Sequence, residues 1–215
     1  MPQDAPKYDD LNNRYPGDFR SGEIILYGYN GTQFDISGLT AVVNVYQGLD
    51  SPFLSGNILF FDTMGIQSSL PIIGNEHLEF KFRNPIDAAG DEELNATNHR
   101  FKVYEKRSVK TQQNVQAIAL FFTSIESVRN ERVRVSKSLE GSYAEMVDKL
   151  VKSDKELLNS KKDLFLDATL GNYKYTFPNV RPIDGVMSMA DLSEPVNFKT
   201  PHYMFYENNR GFHFR

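Results

Sequence analysis

The apolar period changes partway along this chain, and that change limits the fold more than any motif does. From residue 23 to about 136, apolar side chains recur at every second position, the spacing of a strand with one buried face. Residues 77–83 are the cleanest case. Leu78, Phe80 and Phe82 fall on one face, and His77, Glu79, Lys81 and Arg83 on the other. Residues 23–27 begin the series, with Asn30-Gly31 as their turn. Leu39, Ala41, Val43 and Val45 share one face of a second strand; Val42, Asn44 and Tyr46 share the other. The run SGNILFFD at 55–62 is apolar on both faces at its centre, which predicts a strand covered on both sides. Residues 101–109 and 115–122 predict a long strand pair across Thr111-Gln112-Gln113. Residues 132–137 alternate basic residues with Val and predict a short strand or edge.

Near residue 138 the period becomes that of a helix. Ser142 and Glu145 form a capping box: the hydroxyl takes an orphan N–H three residues on, and the carboxylate reaches back. Tyr143, Met146, Val147, Leu150 and Val151 follow at i, i+3, i+4, i+7 and i+8, one buried stripe. KSDKELLNSKKD, residues 152–163, reads as a Lys-rich linker. Tyr173, Tyr175 and Phe177 alternate again. Pro182 opens a second helix, since its missing N–H is not needed in a first turn. Ile183, Val186, Met187 and Ala190 predict that helix's buried face. A hairpin closes the chain: Tyr203 and Phe205, a polar turn from Glu207 to Gly211, then Phe212 and Phe214. The pattern predicts a mainly β protein with an α+β second part: a flexible arm over 1–20, an antiparallel β domain over 21–137 and a smaller α+β domain over 138–215. Because the last strand has no turn, cap or tail beyond it, Arg215 is expected to be a truncation point or the limit of the ordered part.

The 16 Phe and 11 Tyr suit half-buried strand faces. A net charge of -4 lacks the basic surplus of a general nucleic-acid binder. With no Cys, thiol catalysis, zinc-thiolate sites and disulfides are excluded, which fits assembly in a reducing cytoplasm. Residues 1–19 hold no apolar h-region of a secretory signal, and no apolar run approaches the ~20 residues that span a bilayer.

Candidate chemistry is sparse. The four His (His77, His99, His202 and His213) show no metal-like spacing. His202 and His213 flank the closing hairpin and could face each other, but two ligands make a poor site and surface histidines are the plainer reading. The acidic run 87–93 lacks the alternating oxygen ligands of a calcium loop, so a solvated loop is expected. No phosphate-cradling loop and no nucleophile elbow occur. The Arg/Val stripe at 132–137 is too short to track a phosphate backbone. No catalytic, cofactor-binding or metal-ligating residue is nominated.

The order of the pieces carries more information than any one of them. It runs strand meander with SGNILFFD, acidic loop, long strand pair ending in TSIESVRNE, capped helix GSYAEMVDKLV, helix RPIDGVMSMADL, and hairpin YMFYENNRGFHFR. This order resembles the baseplate hub proteins of contractile phage tails of the T-even type and, more distantly, the hub portion of VgrG secretion spikes. The resemblance spans most of residues 22–215. It implies a tube-like β domain followed by an α+β domain, within a longer chain that carries a second tube-like domain. It implies no enzyme activity and no cofactor. It implies a homotrimer whose ring joins the tail tube, or a tube-initiator protein, to the central spike among other baseplate proteins. DNA would pass through the lumen without specific binding, and no membrane anchor is expected. The place implied is the virion tail baseplate, assembled in the host bacterial cytoplasm. Alternatives are the hub of a secretion spike or contractile injection particle and, from another class, a tail-associated carbohydrate-binding or hydrolysing protein. The last would need exposed aromatic platforms or a close carboxylate pair, and the chain has no Trp.

Overall fold

The computed structural model describes residues 20–63, 65–66, 72–83, 100–110, 116–196 and 203–215. The expected arm except Arg20, the acidic loop, the turn at 111–113, His99 and His202 lie outside those residues. The first half is one antiparallel sheet of seven strands: β1 (Arg20–Tyr27), β2 (Gln33–Asp35), β3 (Thr40–Tyr46), β4 (Ser55–Asp62), β5 (His77–Arg83), β6 (Arg100–Lys110) and β7 (Gln116–Ser124). They lie in the order β2-β1-β5-β6-β7-β4-β3, so β2 and β3 are the edges. The sheet curls into a half-barrel around its own apolar face. Ile24, Leu26, Ile58, Phe60, Leu78, Phe101, Val103, Ile118, Leu120 and Phe122 fill the inside, each at most 2% exposed. Gly56 is required on this face: a Cβ there would run into the Asn44 carbonyl and the Phe122 ring.

The chain then makes α1 (Ile125–Arg132), β8 (Ser138–Gly141), α2 (Tyr143–Asp148), β9 (Asp163–Leu166), β10 (Tyr173–Thr176), α3 (Pro182–Leu192), β11 (Phe205–Asn208) and β12 (Gly211–Phe214). β8 pairs with β10, and β11-β12-β9 form a small sheet whose β12–β9 pairing is parallel. A second apolar core gathers Met146, Val147, Leu150, Val151, Phe177, Ile183, Val186, Met189, Phe205, Phe212 and Phe214. The capping box forms as the sequence predicts: Glu145 N–H donates to Ser142 Oγ at 3.3 Å, and Ser142 N–H to Glu145 Oε2 at 3.1 Å. A π-helical turn, Lys149–Ser153, then carries Leu150 and Val151 into the core. The overall architecture is thus a curled antiparallel sheet followed by a smaller α+β part, as the pattern predicts.

Five local expectations are corrected. Residues 125–132 are a helix where the sequence suggests the tail of a strand pair; of residues 133–137, expected as a short strand or edge, only Val135 makes a β-bridge, with Val180. β4 is covered on one face only: Phe61 on the other is 40% exposed, because no described layer packs there. Met187 faces out and Met189 faces in. Gly185 lets the Phe177 ring approach α3 closely, which turns the buried arc away from Met187. The Lys-rich linker is partly interior, with Leu157, Leu158, Ser160 and Lys162 buried. Glu207 belongs to strand β11, not to the turn, and is 1% exposed.

Candidate functional site: a buried ionic junction

Buried Lys162 and buried Glu207 meet at one place. β7 ends at Ser124, which occupies the N-cap position of α1, and Glu126 sits in that helix's first turn. A carboxylate there is favoured by the unpaired N–H groups and the helix dipole. Lys162 comes from the chain just before β9, and Glu207 from the inward face of β11. Lys162 Nζ donates to Glu126 Oε2 at 2.8 Å and to Glu207 Oε1 at 2.5 Å, with side-chain exposures of 2%, 5% and 0%. The other carboxylate oxygens are also occupied. Ser160 Oγ donates to Glu126 Oε1 at 2.7 Å. Ser124 Oγ (2.6 Å) and Leu54 N–H (2.9 Å) donate to Glu207 Oε2. Lys162 Nζ also lies 5.5 Å from the centre of the Phe212 ring.

The hydrogen-bonding partners come from four segments of the chain. Leu54, Ser124 and Glu126 continue from the seven-stranded sheet, whereas Ser160, Lys162 and Glu207 belong to the α+β half. The junction therefore ties the two cores together with charge-assisted hydrogen bonds. α1 extends the tie along one face. Arg129 donates from Nε to the Leu157 carbonyl (2.6 Å) and from Nη2 to that of Lys155 (2.7 Å). Asn130 Oδ1 accepts from Ile183 N–H at 2.9 Å, serving the start of α3, where Arg181 provides no side-chain cap.

The electrostatics follow from one cation facing two carboxylates out of water. Burial pushes the Glu207 carboxyl above its usual range; Lys162 opposes that push and Glu126 adds to it. Burial alone would lower Lys162, but Glu207 and Glu126 outweigh it and hold the ammonium above its ordinary value. Lys162 is therefore firmly protonated at neutral pH. If a proton enters the cluster, Glu207 is the group raised to receive it.

As chemistry, this arrangement is a fastener. Its two carboxylates are close, but a lysine bridges them and solvent does not reach them, so they do not provide the open acid/base pair that glycoside hydrolysis needs. A surface groove of 440 Å³ lies on the outer side of the sheet, lined by Ser55, Tyr104, Thr123, Ser127, Val128, Glu131 and Arg132. Its one carboxylate, Glu131, is paired with Arg181 at 2.7 Å. Arg134 of the Arg/Val stripe spends its guanidinium on the backbone carbonyls of Glu131 (3.0 Å) and Val133 (2.9 Å). His77 is half-buried on β5 and His213 is buried on β12, in two different sheets. Among the described residues no cluster of three or more His, Cys, Asp or Glu could hold a metal.

No family model and no curated protein sequence matches this chain. Solved structures do. One is the 43 kDa tail protein of prophage MuSo2 from Shewanella oneidensis, with a TM-score of 0.54 at 9% identity over 90% of this chain and 54% of that one. Another is prophage tail protein gp18 from Listeria monocytogenes EGD-e, with a TM-score of 0.52 at 12% identity over 90% of this chain and 50% of that one. The chain spans about half the length of each. The shared feature is the fold.

Proposed function

We propose that this chain is a structural part of a phage tail and, more finely, a subunit of a baseplate hub whose ring joins the tail tube to the central spike. The fold it shares with two prophage tail proteins supports the tail role. The observation that carries the finer reading is the β3 edge. Residues 36–49 contain no charged residue, and between 36 and 61 only Asp50 breaks the neutral run. Among the described residues nothing pairs with the outer side of β3. The face beside it presents Val42, Tyr46 and Phe61, exposed by 42%, 55% and 40%. Sheet edges that must stay free are usually guarded by lysine, proline or a bulge; β3 has no lysine or proline, and its one register irregularity lies at Thr40/Val42, before the regular pairing of Val43–Tyr46 with β4. The opposite edge is blunted: β2 has three residues and ends on Asp35.

An open, neutral edge fits a subunit that continues its sheet into a neighbour, and head-to-tail contacts of that kind build a ring when the rotation between subunits closes. In this reading the ionic junction lets the α+β half brace the sheet during assembly. Homotrimerisation, contact with tube and spike proteins, and passage of DNA through the lumen are parts of the same proposal. The test is Val42→Lys combined with Asn44→Lys in the full gene product, two changes on the exposed face of the edge. The variant is expected to keep its thermal unfolding midpoint but to lose self-association by light scattering, and to be absent from tail particles in negative-stain images. Normal assembly by the variant would remove β3 as an interface.

A further inference from the structure

The small C-terminal sheet has its own outward-facing feature, separate from the junction. Across β9-β12-β11, Phe165, His213 and Tyr206 stand in register. Their rings stack: His213 lies 4.7 Å from Phe165 and 5.0 Å from Tyr206, with interplanar angles of 13° and 9°. His213 is 5% exposed. Asn208 Oδ1 accepts from the N–H groups of Arg210 (2.9 Å) and Gly211 (3.2 Å), which fixes its amide as an acceptor toward His213 Nε2 at 2.9 Å. The ring proton therefore sits on Nε2. Nδ1 is buried with no hydrogen-bond partner among the described residues.

We propose that His213 is an acid-sensitive joint: protonation of its ring loosens β12 from β9 and β11 and so frees the strand that carries Glu207 into the ionic junction. A second ring proton would create a buried N–H with no acceptor, in a site where unmet donors are strongly unfavourable. The charged groups around it are mostly unhelpful. Arg215, next but one and just past the end of β12, and Arg210, in the β11–β12 turn, both repel an imidazolium. Asp167, just past β9, attracts it. Asp163 shares the outward parity of β9 but lies level with Gly211, two residues along. The faces of Phe165 and Tyr206 attract a cation, which offsets part of the penalty without supplying an acceptor. Burial first, then Arg215 and Arg210, hold the imidazole below its ordinary 6.5.

The sign follows by linkage. The unfolded chain takes up this proton more readily than the folded one, so stability is complete above pH 6.5 and is lost as pH falls through the folded value. The β12 strand is central to its sheet, so the loss should begin there. The test is hydrogen exchange on the whole chain at about pH 7.5 and about pH 5.5, corrected for intrinsic rates, with an NMR titration of the His213 ring. Protection in β9, β11 and β12 is expected to fall severalfold at the lower pH, up to the about tenfold that one such proton can supply over this range, while the seven-stranded sheet changes far less. His213→Gln, which keeps a donor toward Asn208 but cannot titrate, is expected to abolish that selective fall. His77 is also held low, by burial and by Lys102 and Arg100, but it reports on the large sheet and so separates itself by location. A His213 ring that titrates at or above 6.5, or a His213→Gln variant with the same selective loss, would overturn the proposal; if the variant does not fold, the wild-type titration alone decides.

Discussion

The two halves of this molecule are held by different means. The seven-stranded sheet closes on an apolar interior, with Leu26, Ile58, Phe60, Leu78, Phe101 and Phe122 fully inside and few polar groups among them. The α+β half has an apolar core of comparable make-up, yet its connection to the sheet runs, beside the edge-on contact of Phe53 with Phe212, through Glu126, Lys162, Glu207, Ser124 and Ser160, all buried and all polar. Apolar packing tolerates sliding and repacking, because any neighbour of about the right volume will serve. A lysine between two carboxylates does not, because every donor and acceptor has one place to go. The junction thus fixes how the halves sit together, a use for buried ions that is distinct from adding stability.

Removing the cation should have the largest effect on this difference between the halves. Lys162→Met leaves two carboxylates buried against each other and should lower stability by about 3–5 kcal/mol, read as a fall in the urea midpoint. Combining it with Glu126→Gln and Glu207→Gln removes the stranded charges and should recover much of the loss. If the single variant unfolds at the wild-type midpoint, the junction is not a unit. If the triple variant is as unstable as the single one, packing rather than charge is what Lys162 supplies.

The same contrast explains what the sequence could reveal. Period-two runs exposed the sheet strands because their inner faces are apolar, and the capping box with its i, i+3, i+4 stripe exposed α2 for the same reason. α1 escaped because its buried residues are Glu126 and Asn130, while Ile125 is 37% exposed, so its inward face carries no apolar signal. Lys162 was hidden among other lysines of a polar stretch. Parity could have flagged the other two members: Glu207 continues the inward series Tyr203, Phe205, and Glu126 follows Phe122 and Ser124 in step. A charged residue on an apolar parity is a sign of a buried partner, but only the fold shows which cation it meets.

Asn130 sharpens the point at a smaller scale. Its side chain is the acceptor for a backbone N–H at the start of α3, a helix that begins without a cap of its own. Asn130→Ala leaves that buried donor unmet and should lower stability by about 1–2 kcal/mol in the same urea experiment. Asn130→Asp, which keeps an acceptor, should lose less. Equal losses for both would mean that the amide's volume matters and its oxygen does not.

The smallest effect belongs to the feature most easily read from sequence. Ser142 and Glu145 cap α2 at the surface, where water can replace a lost hydrogen bond. Ser142→Ala should therefore lower stability by only about 1 kcal/mol, with exchange quickening in the first turn of α2 and little change near Lys162. The order of the three losses, Lys162 above Asn130 above Ser142, is set by how completely each site excludes water. It runs opposite to how plainly each site shows in the sequence, because a cap announces itself through neighbours three residues apart, whereas the junction depends on residues 36 and 45 positions apart. A Ser142→Ala loss that matched that of Lys162→Met would mean that desolvation does not govern this molecule's polar contacts, and the distinction between its two halves would fail with it.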